Sequence, residues 1–148
     1  MDFTSDNSSG ASQAILAAIV AANEGPAPAY GADPWTAKAA RLLCEVFERE
    51  SACFLVNTGT AANALALGAI SPPFGAIFCH AQAHVMEDEC GAPEMFTGGA
   101  KLVGIAGRAG KIAPADFKTV LGGFPRGLEK QVQPAVLSLS QVTESGTI

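Results

Sequence analysis

Cys53-Phe54-Leu55-Val56-Asn57-Thr58-Gly59-Thr60-Ala61-Ala62-Asn63 passes from a short unbroken apolar run, through a polar turn, into a helical pattern. The run shows none of the in/out alternation of a half-exposed strand, so it reads as a parallel strand covered on both faces. Three further runs share this character, at Ala76–Cys79, Lys101–Ile105 and Ala135–Leu139. Helical candidates lie between them at Thr60–Ile70, Glu87–Phe96 (interrupted at Gly91 and Pro93) and Pro114–Leu121. Strands alternating with helices predict an α/β layer built on a parallel sheet.

Upstream of that layer the spacing predicts two helices. Residues 12–23 place Ile15, Ile19 and Ala22 on one face, with Ser12 able to cap the first turn. Asp33-Pro34 then opens a second helix, a capping carboxylate followed by proline at the first helical position. Its apolar stripe is Trp35, Ala39, Leu42, Leu43, Val46 and Phe47, and Lys38, Arg41, Glu45 and Glu48 take the wet side.

Composition narrows the function classes. The 148 residues carry 49% hydrophobic and 16% charged side chains, too apolar and too weakly charged for a disordered chain. Nine basic against fourteen acidic residues leave no electrostatic footprint for nucleic acid. The longest apolar run, Ala14–Ala22, is nine residues where a membrane span needs about 20. Met1-Asp2-Phe3-Thr4-Ser5-Asp6 places no basic residue before an apolar stretch, so neither a secretory nor a transit leader is expected. Cys44, Cys53, Cys79 and Cys90 lack C-x-x-C spacing and read as reduced thiols of a cytoplasmic protein.

Two stretches could carry chemistry. In Asn57–Asn63 a helix begins straight after a strand, and its first amides have no internal partner. Gly59 permits close backbone approach, and the Thr58 and Thr60 hydroxyls could add hydrogen bonds. The turn is therefore either a phosphate cup or a plain helix cap with a flexible glycine. The second stretch runs from Cys79-His80 through His84 to Glu87-Asp88-Glu89-Cys90. It admits a metal site on His80, His84, Cys79 and Cys90, though the spacing fits no standard zinc pattern. It also admits acid–base chemistry by a histidine among carboxylates, or an edge loop whose acids favour a helix N-terminus.

Taken in order, Ser5-Asp6-Asn7, Tyr30–Thr36, Asn57–Asn63, Ala83-His84 through Cys90-Gly91-Ala92-Pro93-Glu94, and Gln141-Val142-Thr143-Glu144 resemble the low-specificity L-threonine aldolases of the β-eliminating lyase group. The resemblance covers essentially the whole chain. It implies a three-layer, aspartate-aminotransferase-like fold of the pyridoxal-phosphate-dependent transferases, mostly parallel and incomplete in this chain. On that reading residues 1–32 form an N-terminal helix and interface arm, and residues 33–148 are the first part of the large cofactor-binding domain.

The implied activity is cleavage of L-threonine or L-allo-threonine to glycine and acetaldehyde, with pyridoxal 5'-phosphate as electron sink. The implied partners are a small β-hydroxy-α-amino acid and further copies of the chain, as a homo-oligomer (dimer or tetramer), with no nucleic acid, membrane or metal. Carried over residue by residue, Thr58, Gly59 and Thr60 would hold the cofactor phosphate. His84 would lie over the pyridine ring and handle the β-hydroxyl proton. Glu89 would sit near the substrate or the cofactor's polar edge, with Asp88 beside it. Ser5 would orient the substrate carboxylate. Tyr30 and Asp33 would belong to a segment near a neighbouring subunit's site, where Ala32 replaces the family's more usual acidic residue. The family's cofactor-bearing lysine, its pyridine-nitrogen aspartate and its arginine would lie beyond the equivalent of Ile148. None of Lys38, Lys101, Lys111, Lys118 and Lys130 follows a buried strand into a sheet edge. The 148-residue chain is therefore expected to be the N-terminal part of an enzyme and inactive alone.

Overall fold

The computed structural model describes residues 8–148, in two compact units that divide between Leu55 and Val56. The first unit holds α1 (Gln13–Ala22) and α2 (Pro34–Val46). Ser12 caps α1, its hydroxyl accepting from Ile15 N. Asp33 caps α2 through both carboxylate oxygens, which accept from the Thr36 amide at 2.8 Å and the Thr36 hydroxyl at 2.7 Å. These contacts satisfy otherwise orphaned N-terminal groups, the reason Asp-Pro starts a helix so dependably.

The apolar stripes expected on these helices are present, yet neither helix has a buried residue. Ile15, Ile19, Trp35, Leu42, Leu43, Val46 and Phe47 are all exposed. The run Cys53–Val56, expected to be a strand, pairs with nothing among the described residues, and Phe54 is 86% exposed. An apolar run acquires strand structure only when a neighbour supplies the ladder, and the three-stranded sheet does not extend to it.

In the second unit the order is α3 (Gly59–Ile70), β1 (Gly75–His80), α4 (His84–Glu87), α5 (Ala92–Phe96), β2 (Lys101–Ile105), α6 (Pro114–Gly122) and β3 (Gln133–Leu137). The sheet runs β2-β1-β3, with both pairings parallel as expected. β1, in the middle, is buried along its whole length, while β2 and β3 are only partly covered.

Alternation along β1 builds a core on each face. Ile77 and Cys79 pack with Leu67, Ala83, Val85 and Ala100. Ala76 and Phe78 pack on the other side with Ile105, Phe117, Val120, Leu121 and Phe124. Phe78 meets Phe117 and Phe124 edge-on, with ring centroids 5.6 and 5.2 Å away, the arrangement aromatic quadrupoles favour.

Two expectations about helices change. The helix expected over 87–96 is confined to Ala92–Phe96, a separate short helix His84–Glu87 precedes it, and the non-helical link between them ends at Cys90-Gly91, both left-handed (φ 51° and 74°). Pro93 does not interrupt; it sits in the first turn of α5, where its missing N–H costs nothing. Helix α3, whose apolar composition predicts cover on nearly every side, buries only Ala64 and Leu67, and Leu65 and Ile70 stay exposed. Close packing on α5 comes at Gly68, where a Cβ would lie 3.0 Å from the Phe96 carbonyl oxygen.

Candidate functional site

The chain leaves β1 for β2 on one side and passes from β2 to β3 on the other. Open α/β sheets collect ligands at such a switch, outside the carboxyl ends of the strands. His80 ends β1, and α4 starts four residues later at His84, so both histidines stand at that edge. A cavity of about 230 Å³ opens there, lined by His80, Lys111, Ser138, Ser140, Gln141 and Thr143 among others.

The two histidines play different parts. His80 is buried and its ring is fully engaged: Nδ1 accepts from the Gln82 amide at 3.1 Å, so Nε2–H donates to the Gly107 carbonyl at 3.1 Å. It braces the β1 and β2 exits. The side chain of His84 is 47% exposed. Its Nδ1 meets Glu89 Oε1 at 3.0 Å. A carboxylate only accepts, so Nδ1 carries the hydrogen and Nε2 is left facing outward.

Glu89 is the unusual group. Its side chain is 0% exposed. Oε1 takes a second hydrogen bond, from Asn63 Nδ2 at 2.6 Å, while Oε2 is buried with no partner among the described residues. The hydrogen bond to Glu89 raises the His84 pKa above its ordinary 6.5, outweighing the opposing effect of burial. The charges of Glu89, Glu144 and Asp88 push the same way. Glu144 belongs to the segment after β3, and Asp88 is exposed next to Glu89.

Asn63 lies on α3, one turn beyond the helix start. Thr58 caps that helix, its hydroxyl accepting from Ala61 N at 3.0 Å. The first intrahelical bond runs from Ala62 N to Thr58 O, so the Gly59 and Thr60 amides have no intrahelical partner. A Cβ on Gly59 would meet nothing within 4 Å, so the space over the turn is open. Open space and orphan amides at the positive end of a helix suit an anion such as a phosphate. The carboxylate that links Asn63 to His84 ties this turn to the imidazole.

Other residues singled out in the sequence fall elsewhere. Asp33, capping α2, and Tyr30, with an exposed side chain and left-handed backbone (φ 60°), belong to the first unit. Ser5 lies outside the described residues. Cys79 is sealed in the core, and burial, with the Glu94 charge second, pushes its thiol up to about 11, which keeps it neutral. Among the described residues no three His, Cys, Asp or Glu side chains gather to hold a metal. Sequence reasoning missed the role of Asn63; its signal was an amide set within an otherwise apolar helix.

The β-eliminating lyase family profile matches residues 2–148. The chain is 40% identical over 146 residues to the low-specificity L-threonine aldolase of Pseudomonas aeruginosa, and equally to that of a Pseudomonas sp.. Each alignment takes in 99% of this chain and 42% of the relative, so the chain spans less than half their length. Among solved structures, the threonine aldolase of Leishmania major superposes with a TM-score of 0.83 at 31% identity, over 93% of this chain and 39% of that one.

Proposed function

Since the chain belongs to the β-eliminating lyase family, we propose that it is the N-terminal portion of a pyridoxal 5'-phosphate-dependent aldolase that cleaves L-threonine or L-allo-threonine to glycine and acetaldehyde. The observation that carries the reading is the continuous hydrogen-bonded path from the helix opened by Thr58-Gly59-Thr60, through Asn63 and Glu89, to an imidazole with one outward nitrogen.

The residues present fit the cofactor. The Gly59 and Thr60 amides, with the Thr60 hydroxyl, would hold its phosphate, and the half-exposed His84 ring would stack on its aromatic plane. When bound, pyridoxal phosphate supplies the electron sink for the pair released on breaking the Cα–Cβ bond. His84 Nε2 takes the β-hydroxyl proton as that bond breaks, and the alkoxide electrons become the carbonyl of acetaldehyde. Buried Glu89 keeps Nδ1–H pointed inward and stabilises the imidazolium that results. Asp88 adds negative charge beside it. Ser5 orients the substrate carboxylate, and Tyr30 and Asp33 serve substrate binding at a neighbouring subunit's site.

Residues 1–32 serve as an interface arm and residues 33–148 as the first part of the large domain of a homo-oligomer, dimer or tetramer. The large apolar side chains of α1 and α2, exposed on both helices, support this. Four free thiols and no described helix long and apolar enough to cross a membrane accord with a cytoplasmic enzyme. All five lysines are exposed, which supports a Schiff-base lysine outside this stretch and no turnover by these 148 residues alone.

The test is to incubate the full-length protein and pyridoxal phosphate with L-threonine and with L-allo-threonine, and measure acetaldehyde. Formation of acetaldehyde and glycine in equal amounts is expected. Cofactor bound without product from either substrate would overturn the aldolase reading.

A further inference from the structure

We infer that Asn63 is a positioning residue: by donating to Glu89 Oε1 it fixes the carboxylate that holds His84 Nδ1–H, and so decides which ring nitrogen faces the reaction. The argument is one of counting. Glu89 is sealed from solvent, and Oε1 receives both hydrogen bonds while Oε2 receives none. A buried carboxylate with so few donors depends on each of them. His84 is half exposed and lies at the start of a four-residue helix, which does little to fix its ring. Asn63, by contrast, sits in the second turn of a twelve-residue helix whose own start is capped by Thr58. The rigid partner in the trio is therefore the asparagine.

Removing its amide frees Glu89 to turn about its last bond and offer either oxygen, or none, to the imidazole. The ring then relaxes toward a mixture of tautomers, in part of which Nε2 carries the hydrogen and is no base. The charged and titratable groups facing His84 are Glu89, Asp88 and Glu144; only Glu89 bonds to Asn63, and neither alanine nor leucine at position 63 adds a charge. A change in ring tautomer on altering Asn63 is thus traceable to the lost amide. The catalytic part of this inference rests on the aldolase reading; the tautomer part does not.

The experiment uses the full-length protein with Asn63→Ala and the near-isosteric Asn63→Leu, which has no donor and no charge. Long-range ¹H–¹⁵N spectra of the cofactor-free protein report the His84 tautomer, assigned by the loss of its signals in His84→Ala. The wild type is expected to hold the Nδ1–H form above the histidine's titration, and both variants to lose that preference. In the loaded enzyme kcat should fall about tenfold, the worth of one hydrogen bond to a charged group, with KM little changed. Combining either substitution with His84→Ala should cost nothing beyond His84→Ala itself, because Asn63 acts only through that ring. Should Asn63→Ala fail to fold, Asn63→Leu decides the matter. A folded variant with the wild-type tautomer overturns the inference even if the protein proves to be no aldolase. An additive loss in the double variant overturns the action through His84.

Discussion

His84 Nδ1 donates to Glu89 Oε1 at 3.0 Å across a sharp change of environment, from a half-exposed ring to a carboxylate sealed from water. The hydrogen bond favours the protonated ring, so the folded pKa lies above the ordinary 6.5. A base must be unprotonated, so kcat/KM of the full-length enzyme should fall with decreasing pH through that raised value. Glu89→Gln removes the charge and the strongest acceptor, and the acid limb should move to lower pH. The linked stability has the opposite sense: it is fully present below about pH 6.5 and is lost as pH rises through the folded pKa. Rate profiles and urea midpoints across pH 5–9 check both; an acid limb unmoved in Glu89→Gln would remove the pair from the mechanism.

His84→Ala should lower kcat by about 10²–10⁴-fold, the usual cost of deleting a general acid–base group. It should also weaken cofactor affinity, because the ring that stacks is gone. Steady-state rates and cofactor titration measure the two effects separately. An unchanged kcat would leave His84 only the stacking role.

Phe78→Ala should cost about 3–5 kcal/mol, the usual range for truncating a sealed aromatic. Phe78 is 1% exposed and holds edge contacts with Phe117 and Phe124 that no smaller side chain replaces. Chemical denaturation of the full-length protein gives the value. A loss under 1 kcal/mol would mean that this face of the sheet repacks around the void.

Gly107→Ala tests the brace behind the site. A Cβ there would lie 1.8 Å from the Lys111 carbonyl oxygen and 3.2 Å from the His80 ring. The obstacle is space, since Gly107 has an extended backbone (φ −167°) open to any residue. Forcing the loop apart should cost about 1–3 kcal/mol, as overpacking does, and break the Nε2–H bond of His80 to Gly107. Wild-type stability with the His80 ring signals unmoved would count against that bracing.

Borohydride reduction of the full-length protein with pyridoxal phosphate, followed by peptide mapping, should place the label on a lysine outside residues 1–148. Lys38, Lys101, Lys111, Lys118 and Lys130 are all exposed, and none lies in the water-excluded setting that Schiff-base work asks of a lysine. Stoichiometric, fold-dependent labelling of any of these five would show that this stretch carries its own cofactor lysine.

Much was legible in the sequence because much of it is local physics. Ser12, Asp33 and Thr58 announce helix starts by side-chain capping, and Pro34 confirms one of them. The apolar run at 76–79 lacks alternation because it is the central parallel strand, wet on neither face, whereas 101–105 is an edge strand and only partly covered. The order of short motifs was enough to point to the family. Tertiary structure alone decided the rest. The run at 53–56 looks as much like a strand as the others, but a ladder needs a neighbour and the described sheet offers none. Three acids follow His84 within five residues, and nothing in Glu87-Asp88-Glu89 distinguishes them as a sequence. Folding turns Glu89 inward against an asparagine 26 residues earlier and leaves the other two in water, and burial makes one carboxylate a partner for the histidine.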